Sequence, residues 1–258
     1  MRNPKIEYLR YKITHDETVK YDVEGETRFE VKDWQIRIKD GEVFLEPEEY
    51  FRSEREALEA VEPLVRHWEI SVQLGAQPRV FKLEYLDCQI IDLEPEPGGI
   101  VMYAQPGRMK IVWGQPSILI TRIQYPAPPF RYATSPELEA MFARYVDACD
   151  NPRLIAPCAF FCLTFLERDF EGKKNKRRKT GEKYAIHLDV LSQMGQLTST
   201  KGADIARKAE GWDEPYTIRE QQWLFAAMKK MIERKATLDA EPENTPNMIT
   251  MDDLPVLD

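Results

Sequence analysis

The sequence predicts an α+β chain in two parts, and three observations support this. Apolar residues alternate with polar ones through much of residues 1–130, then recur at three- and four-residue steps after residue 135. Between the two periodicities lies Tyr125-Pro-Ala-Pro-Pro-Phe130, whose prolines deny both helix and ladder hydrogen bonds. The charge changes with the period: residues 1–134 carry −5, residues 135–238 carry +3 and residues 239–258 carry −6. The expected architecture is an antiparallel β-rich domain over 1–130, a sandwich or partly open barrel with one helix near 54–74. A four-helix bundle over 135–238 and an acidic tail over 239–258 follow.

In the first part, Trp34, Ile36 and Ile38 alternate with polar residues, as do Val43 and Leu45. Asp40-Gly41 between them is a hairpin signal, because a type I′ turn needs positive φ at both central residues. Phe81, Leu83 and Tyr85 alternate likewise, and Cys88 to Leu93, Gly99 to Ala104, Met109 to Trp113 and Ser117 to Ile123 are further short strands. One helix interrupts them. Ser53-Glu-Arg-Glu56 has the capping-box pattern, and Leu58, Val61, Val65, Trp68 and Val72 fall on one face behind it. Pro63 removes one amide donor inside that helix.

In the second part, Ser135-Pro136-Glu137 supplies an N-cap, a proline at the first helical position and an acid near the dipole's positive end. Leu138, Met141, Phe142, Tyr145, Val146 and Cys149 form the stripe of the first helix. Asn151-Pro152 opens the second, which is apolar all round and therefore central. Tyr184, Leu188, Leu191 and Met194 mark the third, stopped by Gly195. Thr217-Ile-Arg-Glu220 caps the fourth, with Leu224, Ala227, Met228, Met231 and Ile232 inward. The tail, Thr237 to Asp258, has no Lys or Arg and three prolines, yet carries Ile249, Leu254 and Leu257. Disorder and docking as a strap are both consistent with it.

The composition, 43% hydrophobic and 31% charged over 258 residues, excludes a disordered, collagen-like or repeat chain. The N-terminus lacks the apolar stretch of a signal peptide, and Leu154 to Leu166 is too short to span a bilayer. Four cysteines, Cys88, Cys149, Cys158 and Cys162, do not make a disulfide framework, so the expectation is a cytoplasmic protein with no membrane partner. Cys158 and Cys162 lie one helical turn apart, but in an apolar helix they read as small hydrophobes, and no metal or cofactor is expected.

Lys173, Lys174, Lys176, Arg177, Arg178 and Lys179 place six cations in seven residues between the second and third helices. As a loop they form a candidate nucleic-acid site of phosphate contacts, or a solvated connection. His187 stands close behind them, and with Arg178 it is the candidate catalytic pair for proton transfer and charge stabilisation. Trp34, Tyr85 or Trp113 is the candidate lining of a small-molecule pocket in the β part.

A helical bundle of this length, with a very apolar second helix ending in Leu166-Glu167 and a basic connection after it, resembles the HEPN-type domains of prokaryotic toxin and defence proteins. The resemblance covers residues 135–238. Active HEPN ribonucleases carry an arginine with a histidine a few positions later on a helix. Here Arg178 precedes His187 by nine, so the resemblance implies the scaffold without the nuclease motif. Arg10 and His15 fit the shorter spacing but fall in an expected strand. Two functions follow. One is a non-catalytic interaction or regulatory component of a defence system, with a protein partner or a second copy. The other is an RNA-binding protein or ribonuclease using residues 173–179 and His187.

Overall fold

The computed structural model describes residues 3–94, 120–172, 174–202 and 214–257. The chain is α+β. Its contacts divide it into two compact units, Met1–Arg131 and Tyr132–Asp258. The strands expected at 99–104 and 109–113, with Trp113 and Lys173, lie outside the described residues.

The first unit is built on strands β1 (Pro4–Thr14), β2 (Val19–Tyr21), β3 (Glu26–Val31), β4 (Trp34–Lys39), β5 (Glu42–Pro47), β6 (Lys82–Asp92) and β7 (Ile120–Arg122), with helix α1 (Glu54–Gly75). Five strands form one antiparallel sheet in the order β3-β4-β5-β1-β6, while β2 and β7 form a short parallel ladder. Asp40 and Gly41 make the expected turn, with φ of 53° and 78°, and register Lys39 opposite Glu42. The two strands expected at 81–85 and 88–93 are one. β6 runs along almost the whole of β1, with bulges that absorb the twist of so long a pair.

The inner face of the sheet carries Leu9, Ile36, Ile38, Val43 and Leu45, all nearly inaccessible, and α1 packs against β1 and β6 with Ala57, Val61, Leu64 and Trp68. Leu58 and Val72, expected in that stripe, are only half-buried. The cap of α1 is half a capping box. The Ser53 hydroxyl accepts from the Glu56 amide at 3.3 Å, but the Glu56 carboxylate accepts from the Arg52 amide instead of that of Ser53. Two polar residues of α1 are buried because they hold the entry to β6. Glu69 accepts from the Leu83 amide at 2.8 Å, and the Gln73 side chain donates to the Phe81 carbonyl at 3.0 Å. Tyr125, opening the proline segment, is buried in this unit, where its hydroxyl accepts from the Gly41 amide and its ring stacks on Tyr21.

The second unit contains α2 (Pro136–Asp150), α3 (Ile155–Glu167), α4 (Lys176–Tyr184), α5 (Leu188–Thr200) and α6 (Ile218–Ala240). Ser135 caps α2 and Thr217 caps α6 in a complete capping box. After Asn151 the chain makes a 3-10 turn, Pro152–Leu154, before α3 begins. α3 is central, packed on α2, α5 and α6.

Three expectations change here. The basic connection is not a loop, since Lys176 to Lys179 open helix α4. Tyr184 belongs to α4 and not to the helix after it. Gly195 does not stop a helix, for α5 runs through it to Thr200. The glycine is there for packing: a Cβ at position 195 would lie 2.9 Å from the guanidinium nitrogens of Arg177. The tail docks on its own unit. Ile249 makes a parallel bridge to Ile186, accepting from the His187 amide and donating to the Ala185 carbonyl at 2.8 Å each. Ile249 and Leu254 are buried.

Candidate interaction surface

The basic segment enters the structure already engaged. Glu167, at the end of α3 and 2% exposed, accepts from Arg177 Nε at 2.9 Å and meets Lys176 Nζ at 3.1 Å. A buried carboxylate needs such partners, so these two cations hold α4 onto α3. Arg178 is mostly exposed and pairs with Glu182 one turn on. Lys174 is exposed and Lys179 half-buried. His187 is the N-cap of α5, its Nδ1 accepting from the Asp189 amide at 3.3 Å. The structure thus gives Arg178 and His187 separate partners and separate tasks.

A cleft of about 400 Å³ opens where the start of α2, the end of α3 and the C-terminal ends of α4 and α6 meet. Arg168 pairs with Glu137 and Lys183 with Asp169 from one element to another, while Lys235 and Asp239 pair along α6. The hydrogen bond from Lys183 holds the Asp169 carboxyl below its ordinary range. Ser135 Oγ lies 3.1 Å from Lys235 Nζ, a spacing that suits a serine activated by lysine. That nitrogen is held by both Asp239 oxygens, however, and the serine donates to Asp239 and caps α2. These groups clamp helix ends together.

Cys158 and Cys162 are buried, and burial pushes both thiols up, away from the thiolate that a metal or a nucleophile needs. Among the described residues no group of three or more His, Cys, Asp or Glu is placed to hold a metal ion. Trp34 does not line a pocket mouth; it is 2% exposed and stacks on Phe51. Tyr85 packs edge-on against Tyr11 and donates to Glu54.

The surface that remains is the outer face of the sheet. Register places Arg28, Arg37, Phe44, Arg10 and Asp87 in one row across β3, β4, β5, β1 and β6. Arg37 lies 4.0 Å over the Phe44 ring, and Tyr8 packs edge-on against the same ring at 5.3 Å. Arg10 grips Asp87 through Nε and a second nitrogen and also reaches Glu42 at 3.4 Å. Arg37 in turn meets Glu26 and Glu46. Each side chain is held by neighbours on rigid strands, so the row is an ordered surface of arginines around an aromatic centre. Sequence reading passed over these residues because alternation marks them as the solvent side. The one available signal was Phe44, an aromatic at an outward position between Val43 and Leu45.

Compared with protein-family models, with curated proteins and with solved structures, the chain matches none of them. Among the described residues no helix is long and apolar enough to cross a membrane.

Proposed function

We propose that the protein is a non-catalytic interaction or regulatory component that binds a protein partner, or a second copy of itself, through the outer face of its sheet. The Arg37–Phe44–Tyr8 cluster carries this reading. Aromatic and arginine side chains are the residue types that concentrate binding energy at protein interfaces, and strands hold them with little entropy left to lose. The charge pairs of the second unit at Glu137, Glu167 and Asp169 support it too, because they join one helical element to another. A role in a prokaryotic defence system is part of the proposal and rests on the resemblance of residues 135–238 to HEPN-type domains.

Light scattering on the eluting full chain tests the reading. A stable mass above the 30.2 kDa of one chain, reduced by Phe44→Ser, supports it; a strictly monomeric protein with measurable turnover overturns it. The RNA-binding alternative is the weaker one, since Lys176 and Arg177 are committed to Glu167. Replacing Lys174, Arg178 and Lys179 by Ser leaves that clamp intact and removes salt-dependent RNA retention only if the alternative holds.

A further inference from the structure

β3 carries backbone groups that its own sheet does not use. The Asp40–Gly41 turn closes Lys39 and Glu42 as a hydrogen-bonded pair, so Lys39, Arg37 and Gln35 direct their backbone groups to β5. Trp34, Ile36 and Ile38 then direct theirs to β3, where they stand opposite Val31, Phe29 and Thr27. The amides and carbonyls of Glu26, Arg28 and Glu30 consequently point away from the sheet. Among the described residues β3 has β4 as its only strand neighbour. The strand contains neither lysine nor proline, two of the residues that commonly guard such an edge.

From this edge we infer that two copies of the chain associate by antiparallel pairing of β3 with β3, with Phe29 on the two-fold axis. The inference rests on the reading of the protein as one that binds polypeptides, and it names the partner. The charges select both partner and register. In a two-fold pairing a residue faces one on the same side of the sheet. With Phe29 opposite Phe29 of the second copy, Arg28 faces Glu30 twice over and Thr27 faces Val31. Sliding the register one way sets Arg28 against Arg28 and Glu26 against Glu30. Sliding it the other way sets Glu30 against Glu30. A further slide brings Glu26 opposite Arg28, but only Glu26 to Arg28 then overlap, and Glu26 is already occupied by Arg28 and Arg37 of its own sheet.

Two further observations fit that register. Among the described residues Glu30 makes no ion pair in its own chain, whereas Arg28, 77% exposed at its side chain, reaches only Glu26. Phe29 is half-buried on the inner face of the sheet, so the central ring pair extends each apolar core across the junction. The helix on that face packs on β1 and β6, at the other end of the sheet. The two copies form one continuous sheet, and the arginine–aromatic rows of their outer faces join end to end.

Sedimentation equilibrium on the full-length chain and on charge-reversed variants tests the pairing. The expected result is a wild-type dimer whose dissociation constant rises at least about tenfold in Arg28→Glu, where like charges meet at both symmetric positions, and likewise in Glu30→Arg. The double variant Arg28→Glu with Glu30→Arg restores the dimer. Arg28→Pro, which removes an outward amide and no bond to β4, is monomeric. A monomeric wild type, or single reversals without recovery in the double variant, overturns the proposal. A dimer that survives all four variants but is lost in Phe44→Ser also overturns it, while leaving the protein-binding reading in place.

Discussion

Arg177 serves two neighbours at once. Its Nε donates to the buried carboxylate of Glu167, and its guanidinium fills the space a side chain at position 195 would take. A glycine inside a helix costs about 1 kcal/mol relative to alanine, so Gly195→Ala should stabilise α5 if nothing opposed it. The new methyl displaces Arg177 from Glu167 instead. The expected outcome is a Gly195→Ala variant no more stable than wild type, whereas the same change in an Arg177→Ala background adds about 1 kcal/mol. Urea unfolding of the four proteins checks it, and strictly additive effects would contradict the account. The same pair explains why reading residues locally went astray. A glycine after a run of helical residues signals a stop, and six cations together signal a loop. Both signals were overridden by one carboxylate on another helix, which nothing in the neighbouring sequence announces.

Elements whose ends are set by local chemistry were legible. Ser135, Thr217 and the Asp40–Gly41 turn act within a few residues of themselves, and each does what its sequence context predicts. Pairing was not legible: Leu9 stands beside both Leu45 and Cys88, and no local pattern names either. The elbow between α4 and α5 is of the second kind. Ala185 takes up left-handed backbone at φ 46°, and the Ile186 amide turns back to donate to the Gly181 carbonyl at 2.9 Å. A Cβ on Gly181 would lie 2.6 Å from the Ile186 carbonyl oxygen. That neighbour is backbone and cannot swing aside as Arg177 can. Gly181→Ala is therefore expected to lower stability by about 1–3 kcal/mol despite alanine's better helix propensity. Thermal unfolding followed by circular dichroism measures it, and an unchanged or raised midpoint would show that the elbow has room.

Across the molecule, the change of period in the sequence coincides with a change of core. Leu9, Ile36, Leu45 and Trp68 are buried in the first unit, and Leu163, Met194, Trp223 and Met228 in the second. Residues 132–258 produced alone are accordingly expected to unfold in a single cooperative transition, with loss of far- and near-ultraviolet dichroism at the same temperature. A fragment with helical signal but no fixed tertiary signal would show that its core depends on the first unit. The outer sheet face was the least legible feature at this scale, because its row is assembled from five strands and only register brings the residues together. The strap across the elbow has a consequence for how the protein is made. Ile249 secures Ala185 and His187, yet it is translated after α6. A ribosome that has delivered α2 through α6 has not yet delivered what locks them. The sheet can close early in synthesis, while its helical companion waits, with one corner unlatched, for Ile249 to emerge.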